Sequence, residues 1–448
     1  MTAARYVLGI GIKASFSPVT PLLMASRMES TGRNYRLDTC RWHAERYSVV
    51  QGGMMPGSYI VAGARTPIGK MSGALADFSA ADLGGLAITE ALKRAGVQPA
   101  EVDHVIVGQV LMAGQGQVPS RQAAVKAGIP MNVPSVNINK VCLSGLNAIY
   151  LADQMVSSGE ADIVVAAGME SMTNAPYLAA GARSGFRYGN TELADAIIKD
   201  GLWCAFDACL MGLGTERYAA GNISRDEQDA AALQSHARAA AAIAAGRFTD
   251  EIIPVSVPQR KGNPIVVRDD EGVRAATTME SLGALRPAFD KNGTVTAGNA
   301  SQISDGGSAV VVMSRQAAEK RGVTPLGEFV SYGMVAGPDS ASLLHQPSRA
   351  IQQALTRATM SIGDLSLLEI NEAFAAVGIA SMRELGVSDT IVNVNGGAIA
   401  LGHPIGMSGN RLALTLLHEL KRRGGGVGAA ALCGGGGQGD ALIVRTVS

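Results

Sequence analysis

The chain has 448 residues, 47% hydrophobic and 17% charged, which is too long for one ordinary core and too apolar for disorder over most of its length. Thirty-eight basic residues balance thirty-eight acidic ones, so no global field favours nucleic acid or an anionic membrane. Aromatics at 4% are too few for a base-stacking surface, and no apolar run reaches the roughly 18 to 20 residues of a membrane span.

Residues 1–55 read as an N-terminal extension, disordered or dispensable. They carry seven Arg or Lys against three acids, with scattered serines and no sustained period. The run Gly9-Ile10-Gly11-Ile12-Lys13-Ala14 has the glycines of a dinucleotide loop, but that loop needs a helix next, and Pro18 and Pro21 prevent one. A basic, serine-bearing leader resembles an organellar transit peptide, against which stand Glu29, Asp38 and Glu45. A start at Met54 or Met55 is the other reading. The expected location is cytoplasmic, or mitochondrial if residues 1–53 are a transit peptide.

From residue 56 to 173 strand and helix signals alternate. The pattern predicts strands at Tyr59–Gly63, His104–Leu111, Ser135–Asn139 and Ala161–Gly168, with helices at Ala81–Arg94 and from Cys142 to about Ser157. Short apolar strands separated by helices predict an α/β fold, a parallel sheet covered on both faces. Residues 174–302 form an insertion with the alanine-rich helix Arg225–Ala245, read as a separate lobe for the substrate's non-reacting part; about 303–323 return to complete the first half. Residues 324–448 repeat the grammar. Helices are predicted at Ser348–Ala358, Glu372–Leu385 and Pro404–Arg422, and strands at Leu365–Ile370, Ile391–Asn395, Val427–Cys433 and Ala441–Val447. A local echo supports duplication: Val136-Asn137-Ile138-Asn139 parallels Val392-Asn393-Val394-Asn395, and each is followed by a Ser-Gly pair, Ser144-Gly145 and Ser408-Gly409.

Five cysteines (Cys40, Cys142, Cys204, Cys209, Cys433) give neither a disulfide framework nor metal-ligand spacing, so no metal site is expected. Such a sparse, odd set points to a reducing compartment. Cys142 is placed at a helix start, where free N–H groups favour a thiolate, although an unpaired cysteine is most often structural. His403 lies in the glycine-rich Gly396–Gly406 loop, with Pro404 suited to a first helical position; it is a better base candidate than His236 or His418. Cys433 enters Gly434-Gly435-Gly436-Gly437-Gln438-Gly439, a run that exposes consecutive N–H groups but lacks the Gly-Lys-Ser/Thr of a phosphate loop. Asn371-Glu372-Ala373-Phe374 stands at a strand-to-helix corner, where a helix cap is the plainer reading.

Together these segments resemble the thiolases in identity, order and spacing: Asn139-x-x-Cys142-x-Ser144-Gly145, Asn371-Glu372-Ala373-Phe374, Gly402-His403-Pro404 and Cys433-x-Gly435. Gly168-Met169-Glu170-Ser171-Met172 and Thr296-Ala297-Gly298-Asn299-Ala300-Ser301 add to the match, which covers residues 57–448. The resemblance implies a duplicated α/β/α/β/α layered fold with an inserted loop domain. It implies that Cys142 takes up the acyl group as a thioester, that His403 deprotonates it, and that Cys433 moves the second proton. Asn371 would hold a water sharing an oxyanion site with His403, and the N–H groups of Cys142 and Gly435 would form a second oxyanion hole. By the same resemblance Leu202, Met211, Arg274, Ser281, Ala297, Ser301 and Phe374 would line coenzyme A, with Arg274 anchoring the nucleotide end.

The activity so implied is that of an acetyl-CoA C-acetyltransferase, condensing two acetyl-CoA to acetoacetyl-CoA and CoA, or the reverse thiolysis. The alternative is a 3-ketoacyl-CoA thiolase of fatty-acid breakdown acting on longer chains. Coenzyme A thioesters would be substrates, no cofactor would be needed, and the chain would form a homo-oligomer, tetramer or dimer. A carrier-protein-loaded decarboxylating enzyme usually has histidine where Cys433 stands. Two departures bear on the acyl substrate. Leu210-Met211-Gly212 replaces His-Met-Gly, and Ser342-Leu343-Leu344-His345-Gln346-Pro347 lacks a Met-Gly pattern.

Overall fold

The computed structural model describes residues 57–339 and 342–447. The readings made for residues 1–55, including Cys40, lie outside them. Nine strands build the main sheet: β1 (Ser58–Arg65), β2 (His104–Gly108), β3 (Ser135–Ile138), β4 (Ile163–Ser171), β5 (Ser304–Ser314), β6 (Gly327–Ala336), β7 (Leu367–Ile370), β8 (Val427–Gly434) and β9 (Gln438–Arg445). Their order is β7-β8-β9-β6-β1-β5-β4-β2-β3, with the short segment Gly69–Lys70 added on β5. The sheet is mixed, not parallel as predicted. Only β2–β3, β2–β4 and β7–β8 run parallel. The strands β5 and β6 escape the pattern because Gly306-Gly307 in one, and Gly327 and Gly333 in the other, interrupt the apolar run.

Alternation along the strands sorts their side chains into layers. Ile60 of β1, Val164 and Ala166 of β4, and Val310 and Val312 of β5 face one central core, which also takes Ala430, Leu432, Leu442 and Val444 from β8 and β9. Their sequence neighbours Val61, Val165, Val311 and Met313 face an outer core under helices α1 (Ala80–Ala95) and α2 (Pro119–Lys126). On the other half, Ala429, Ala431, Ala441 and Ile443 face a second outer core. The period of two therefore separates the layers, the central strands being buried on both faces. Within the central layer lie two buried helices, α3 (Ser144–Ser157) and α7 (Ser408–Arg422); between these in the chain come α4 (Arg225–Ala244), α5 (Gln346–Ala358) and α6 (Ala375–Leu385). Helix α1 shows why such segments stop where they do: Ser79 and Asp82 close a capping box, and Gly96 takes the left-handed cap.

Counted outward from the β1–β6 boundary, each half has the same order: β1, β5, β4, β2, β3 on one side, and β6, β9, β8, β7 on the other. The last place in the second half belongs to Val392, which makes a single parallel bridge with Leu368. The expected strand Ile391–Asn395 is thus reduced to one bridge. Asn393 explains it: its Oδ1 accepts from Ile370 N at 2.9 Å and its Nδ2 donates to Ile370 O at 2.8 Å, so an amide side chain replaces the ladder.

The two Ser-Gly pairs meet where α3 and α7 cross. A Cβ on Gly145 would stand 2.8 Å from Asn410 N and Gly406 O, and one on Gly409 would stand 2.4 Å from Leu146 N. Each glycine is seated on the backbone of the other helix, so each half dictates the other's residue. The insertion packs as part of the same unit. Helix α4 lies against Ala398–Leu401 and α6, and Arg65 of β1, fully buried, reaches Glu251 (2.7 Å) and Asp270 (2.7 and 2.9 Å).

Candidate active site

Cys142 stands two residues before α3, not within it as the sequence suggested. It follows Val141, a β-branched residue at φ 51°, where an L side chain crowds the next carbonyl at a cost of roughly 1–2 kcal/mol. Ser144 holds that turn: its hydroxyl donates to Val141 O (2.6 Å) and accepts from Lys140 N (2.8 Å). The corner therefore projects Cys142 from a strained turn between β3 and α3, a conformation that persists only because the surroundings enforce it.

Cys433 is the last residue but one of β8, and the hairpin that follows turns through Gly436 (φ 76°) and Gly437 (φ 66°), conformations that other residues adopt with strain. Gly434 lies on Leu143, where a Cβ would stand 2.6 Å from Cγ, and Gly435 lies 3.2 Å by the same measure from Val141 Cγ2. The cysteine of one half is thus packed against the corner of the other. Both thiols are buried and free. Burial first, then the neighbouring acid Cys433, pushes the Cys142 thiol well above the ordinary range. Burial pushes Cys433 up to about 12. The helix-start thiolate expected from the sequence is overruled: desolvation outweighs the helix terminus, and both sulfurs rest as thiols.

His403 precedes α7, which begins only at Ser408; Pro404 occupies a turn, not the first helical position. Ser408 Oγ donates its one proton to Pro404 O at 2.9 Å, so it can only accept from His403 Nδ1, 2.5 Å away. The imidazole is thereby fixed with its proton on Nδ1 and its lone pair on Nε2, which lies 3.3 Å from Asn371 Nδ2. Burial, then the Arg411 guanidinium, holds His403 down to about 3, so it rests neutral. Asn371 is fully buried and its Oδ1 has no partner. Glu372 beside it does not cap α6, which starts later, at Ala375; its carboxylate accepts from Ser235, Asn393 and Ile399 N, the second residue of the short helix Ala398–Leu401.

A cavity of about 580 Å³ opens beside His403. Leu202, Arg274, Ala297, Ser301 and Phe374 are on its wall, together with Leu210 and Ile405. Met211 and Ser281 are not. Met211 packs with Cys433, Leu344 and Ala373 behind the wall, and Ser281 is exposed in a capping box with Thr278. Cys142 packs with Met172 and Ile405, and Cys433 packs with Ala373 and Phe374; all four of these neighbours also face the cavity. Each cysteine therefore lies directly behind the lining. His236 is spent on structure, its Nδ1 accepting from Arg274 N at 3.1 Å, and His345 pairs with Glu384.

Sequence reasoning passed over two supports. Ser408 appeared only as half of an echo, although its place five residues after His403 was visible. Glu170 appeared only as a motif letter; its buried carboxylate accepts from Val110 N and Leu111 N (3.0 Å each) and Gly406 N (2.9 Å), tying the His403 loop to the end of β2. Among the described residues no cluster of ligating side chains could hold a metal ion.

Two buried thiols behind the lining of an apolar cavity, with a neutral imidazole on its wall, define a site for acyl transfer through sulfur. Comparison with known proteins gives the same class. Residues 58–316 match the family description "Thiolase, N-terminal domain" and residues 323–446 match "Thiolase, C-terminal domain". The chain is 57% identical over 387 residues, 86% of its length, to the whole of a "Probable acetyl-CoA acetyltransferase" of Mycolicibacterium smegmatis. It is 56% identical over 392 residues, 87% of its length, to the whole of a protein of that name from Mycobacterium tuberculosis. An "Acetyl-CoA acetyltransferase" of Cupriavidus necator is 51% identical over 387 residues, 86% of this chain and 98% of that one. The chain belongs to the thiolase family, and its duplicated layered fold is the one expected.

Proposed function

We propose that the protein is an acetyl-CoA C-acetyltransferase that joins two acetyl-CoA into acetoacetyl-CoA and CoA, or runs the reverse thiolysis. The observation that carries the reading is the packing of Gly434 and Gly435 on the Val141–Leu143 corner, which brings a thiol from each half to one cavity beside a neutral histidine. The printed names of the relatives support the acetyl substrate.

The steps balance without a cofactor. His403 Nε2 takes the Cys142 proton as sulfur attacks the acetyl carbonyl. The CoA sulfur leaves with the proton of Cys433, so an imidazolium and a Cys433 thiolate remain beside acetyl-Cys142. That thiolate removes the α-proton of a second acetyl-CoA, and the enolate forms against the imidazolium. Enolate carbon attacks the acetyl-Cys142 carbonyl; acetoacetyl-CoA forms, and the freed Cys142 thiolate recovers its proton from His403. Two oxyanions arise in turn, the first supplied by the N–H groups of Cys142 and Gly435, the second by His403 and a water on Asn371 Oδ1. Losing one such donor costs about 100- to 1000-fold in rate.

Cys433→Ala should still become acetylated on Cys142 yet lose condensation and thiolysis, whereas Cys142→Ala should lose every step, including exchange of CoA with acetyl-CoA. A Cys433→Ala enzyme that condenses at near wild-type rate would overturn the assignment. Leu210 on the cavity wall favours testing ketoacyl-CoA substrates of increasing length, since a longer-chain preference would shift the reading to a 3-ketoacyl-CoA thiolase. Four free thiols among the described residues support a reducing location such as the cytoplasm. Exposed Tyr177, Phe186, Tyr188 and Leu193 support a homo-oligomer, which light scattering would count.

A further inference from the structure

The two sulfurs come from halves of the chain nearly three hundred residues apart, and one side-chain pair joins the segments that carry them. Lys140 sits two residues before Cys142, and its ammonium reaches Asp440 at 2.7 Å (Oδ1) and 2.9 Å (Oδ2). Asp440 lies one residue beyond Gly439, the cross-strand partner of Cys433. The carboxylate is fully buried, while the lysine side chain is 22% exposed. Tyr332 donates to Asp440 Oδ2 at 2.9 Å, and Asn147 of α3 approaches the same oxygen at 3.5 Å. The tyrosine ring is itself held, stacked on Tyr150 of α3 with centroids 4.6 Å apart. On the other side, the Lys140 backbone is pinned by Ser144 Oγ, the group that also fixes the Val141 turn.

We infer that Lys140 and Asp440 are a positioning pair: they set the separation of the Cys142 corner and the Cys433 hairpin, and hence the rate of carbon–carbon bond formation. The inference rests on the roles given above to Cys142 and Cys433. Stability alone does not call for a charge pair here. Two charges taken out of water are often no better than apolar residues of similar volume, so a buried pair is weak support for a purely structural role. What the pair supplies is a fixed span. A bidentate contact from a side chain next to the nucleophile's turn, to a strand whose neighbour carries the second sulfur, leaves little freedom along the line between them. Acetylation of Cys142 needs the corner, His403 and one acyl group; where Cys433 gives no proton, the CoA sulfur leaves as a thiolate and is protonated by the imidazolium or water. Condensation needs in addition that the carbon deprotonated by Cys433 meet acetyl-Cys142, and a misplacement of about 1 Å at such a step can cost on the order of 100-fold.

The test uses the full chain and three variants. Asp440→Asn keeps an acceptor for Tyr332 and leaves Lys140 able to reach water. Lys140→Met with Asp440→Asn removes both charges, so that no carboxylate is left buried and unpaired. Lys140→Arg restores a cation. Both charge-removing variants should keep the wild-type melting temperature within a few degrees, the KM for acetyl-CoA and the full extent of Cys142 acetylation, while kcat for condensation falls about 10- to 100-fold; Lys140→Arg should recover most of it. The inference is overturned if the double variant condenses at the wild-type rate, or if acetylation, condensation and melting temperature fall together. Failure of the underlying reading looks different: wild-type enzyme would then carry no acetyl group on Cys142.

Discussion

Ser408→Ala offers a direct test of how the imidazole is held. The hydroxyl at 2.5 Å is the acceptor for His403 Nδ1–H, and both groups are buried. Removing it leaves a buried N–H without a partner, at a cost of about 1–3 kcal/mol. The ring has an escape, because Asn371 Oδ1 is unpartnered; a rotated amide would accept a proton placed on Nε2 instead. That tautomer has no lone pair at Nε2 and cannot take the Cys142 proton. At 1.36 kcal/mol per tenfold, the base-competent fraction falls by about 5- to 150-fold, and the acetylation rate should fall with it. Ser408 is not on the cavity wall, so the KM for acetyl-CoA should hold. Rapid-quench mass spectrometry of acetyl-Cys142 after mixing with acetyl-CoA reads the rate. Wild-type acetylation kinetics in Ser408→Ala would refute the tautomer argument outright.

Acid should unfold the protein partly through His403. Its folded pKa of about 3 lies below the ordinary 6.5, so its contribution is present above pH 6.5 and is lost as pH falls towards 3, by about 2 kcal/mol at pH 5. The drop in denaturation free energy between pH 7 and pH 5 should therefore be about 2 kcal/mol smaller in His403→Asn, and equal drops would count against a neutral buried ring. Gly145→Ala presses a methyl on three backbone atoms at 2.8–3.0 Å and should cost about 1–3 kcal/mol, whereas Gly378→Ala, in a helix with nothing within 4 Å, should stabilise by up to about 1 kcal/mol; calorimetry that ranks them the other way would contradict the crossing of α3 and α7. Arg65→Met leaves Glu251 and Asp270 buried without their cation and should cost about 3–5 kcal/mol in urea denaturation, and a loss under 1 kcal/mol would show that the insertion is held elsewhere.

Much of the candidate site was legible because each of its residues stands in a short run that can be read by itself. Cys142, Asn371 and Cys433 each sit in a short run of glycines or polar residues at or near the end of a strand, and His403 in the glycine-rich segment around Ala398–Leu401; such interruptions can be read locally. The helices α1, α4 and α5 fell within two residues of their predicted ends, for their periodicity and caps are local too. What failed depends on distant partners. The strand predicted at Ile391–Asn395 was lost to a side-chain amide bonding Ile370. The thiolate predicted for Cys142 was lost to desolvation by walls drawn from both halves. Lys140 and Asp440 carried no signal, since a lysine and an aspartate three hundred residues apart look like any two surface charges. The parallel sheet was misjudged because two glycine-interrupted strands in the middle went unread, and their antiparallel pairing sets the direction of everything beside them.

The shared order of the two half-sheets places Cys142 and His403, the proposed nucleophile and base, at the same station of one repeated unit. In the first half four residues separate Asn139 from Ser144, and Cys142 lies among them; in the second, twelve separate Asn395 from Ser408, and His403 lies among those. Beyond each station the sequence resumes with serine and glycine, and each serine steadies its own half's reactive group: Ser144 the turn, Ser408 the ring. The difference between attacking atom and proton acceptor is thus a matter of loop length. A short connection leaves a sulfur perched on a tight corner, while one eight residues longer, Gly396–Met407, carries an imidazole to the cavity wall. Two copies of a single scaffold divide the labour, and neither copy could perform the reaction with two loops of the same kind.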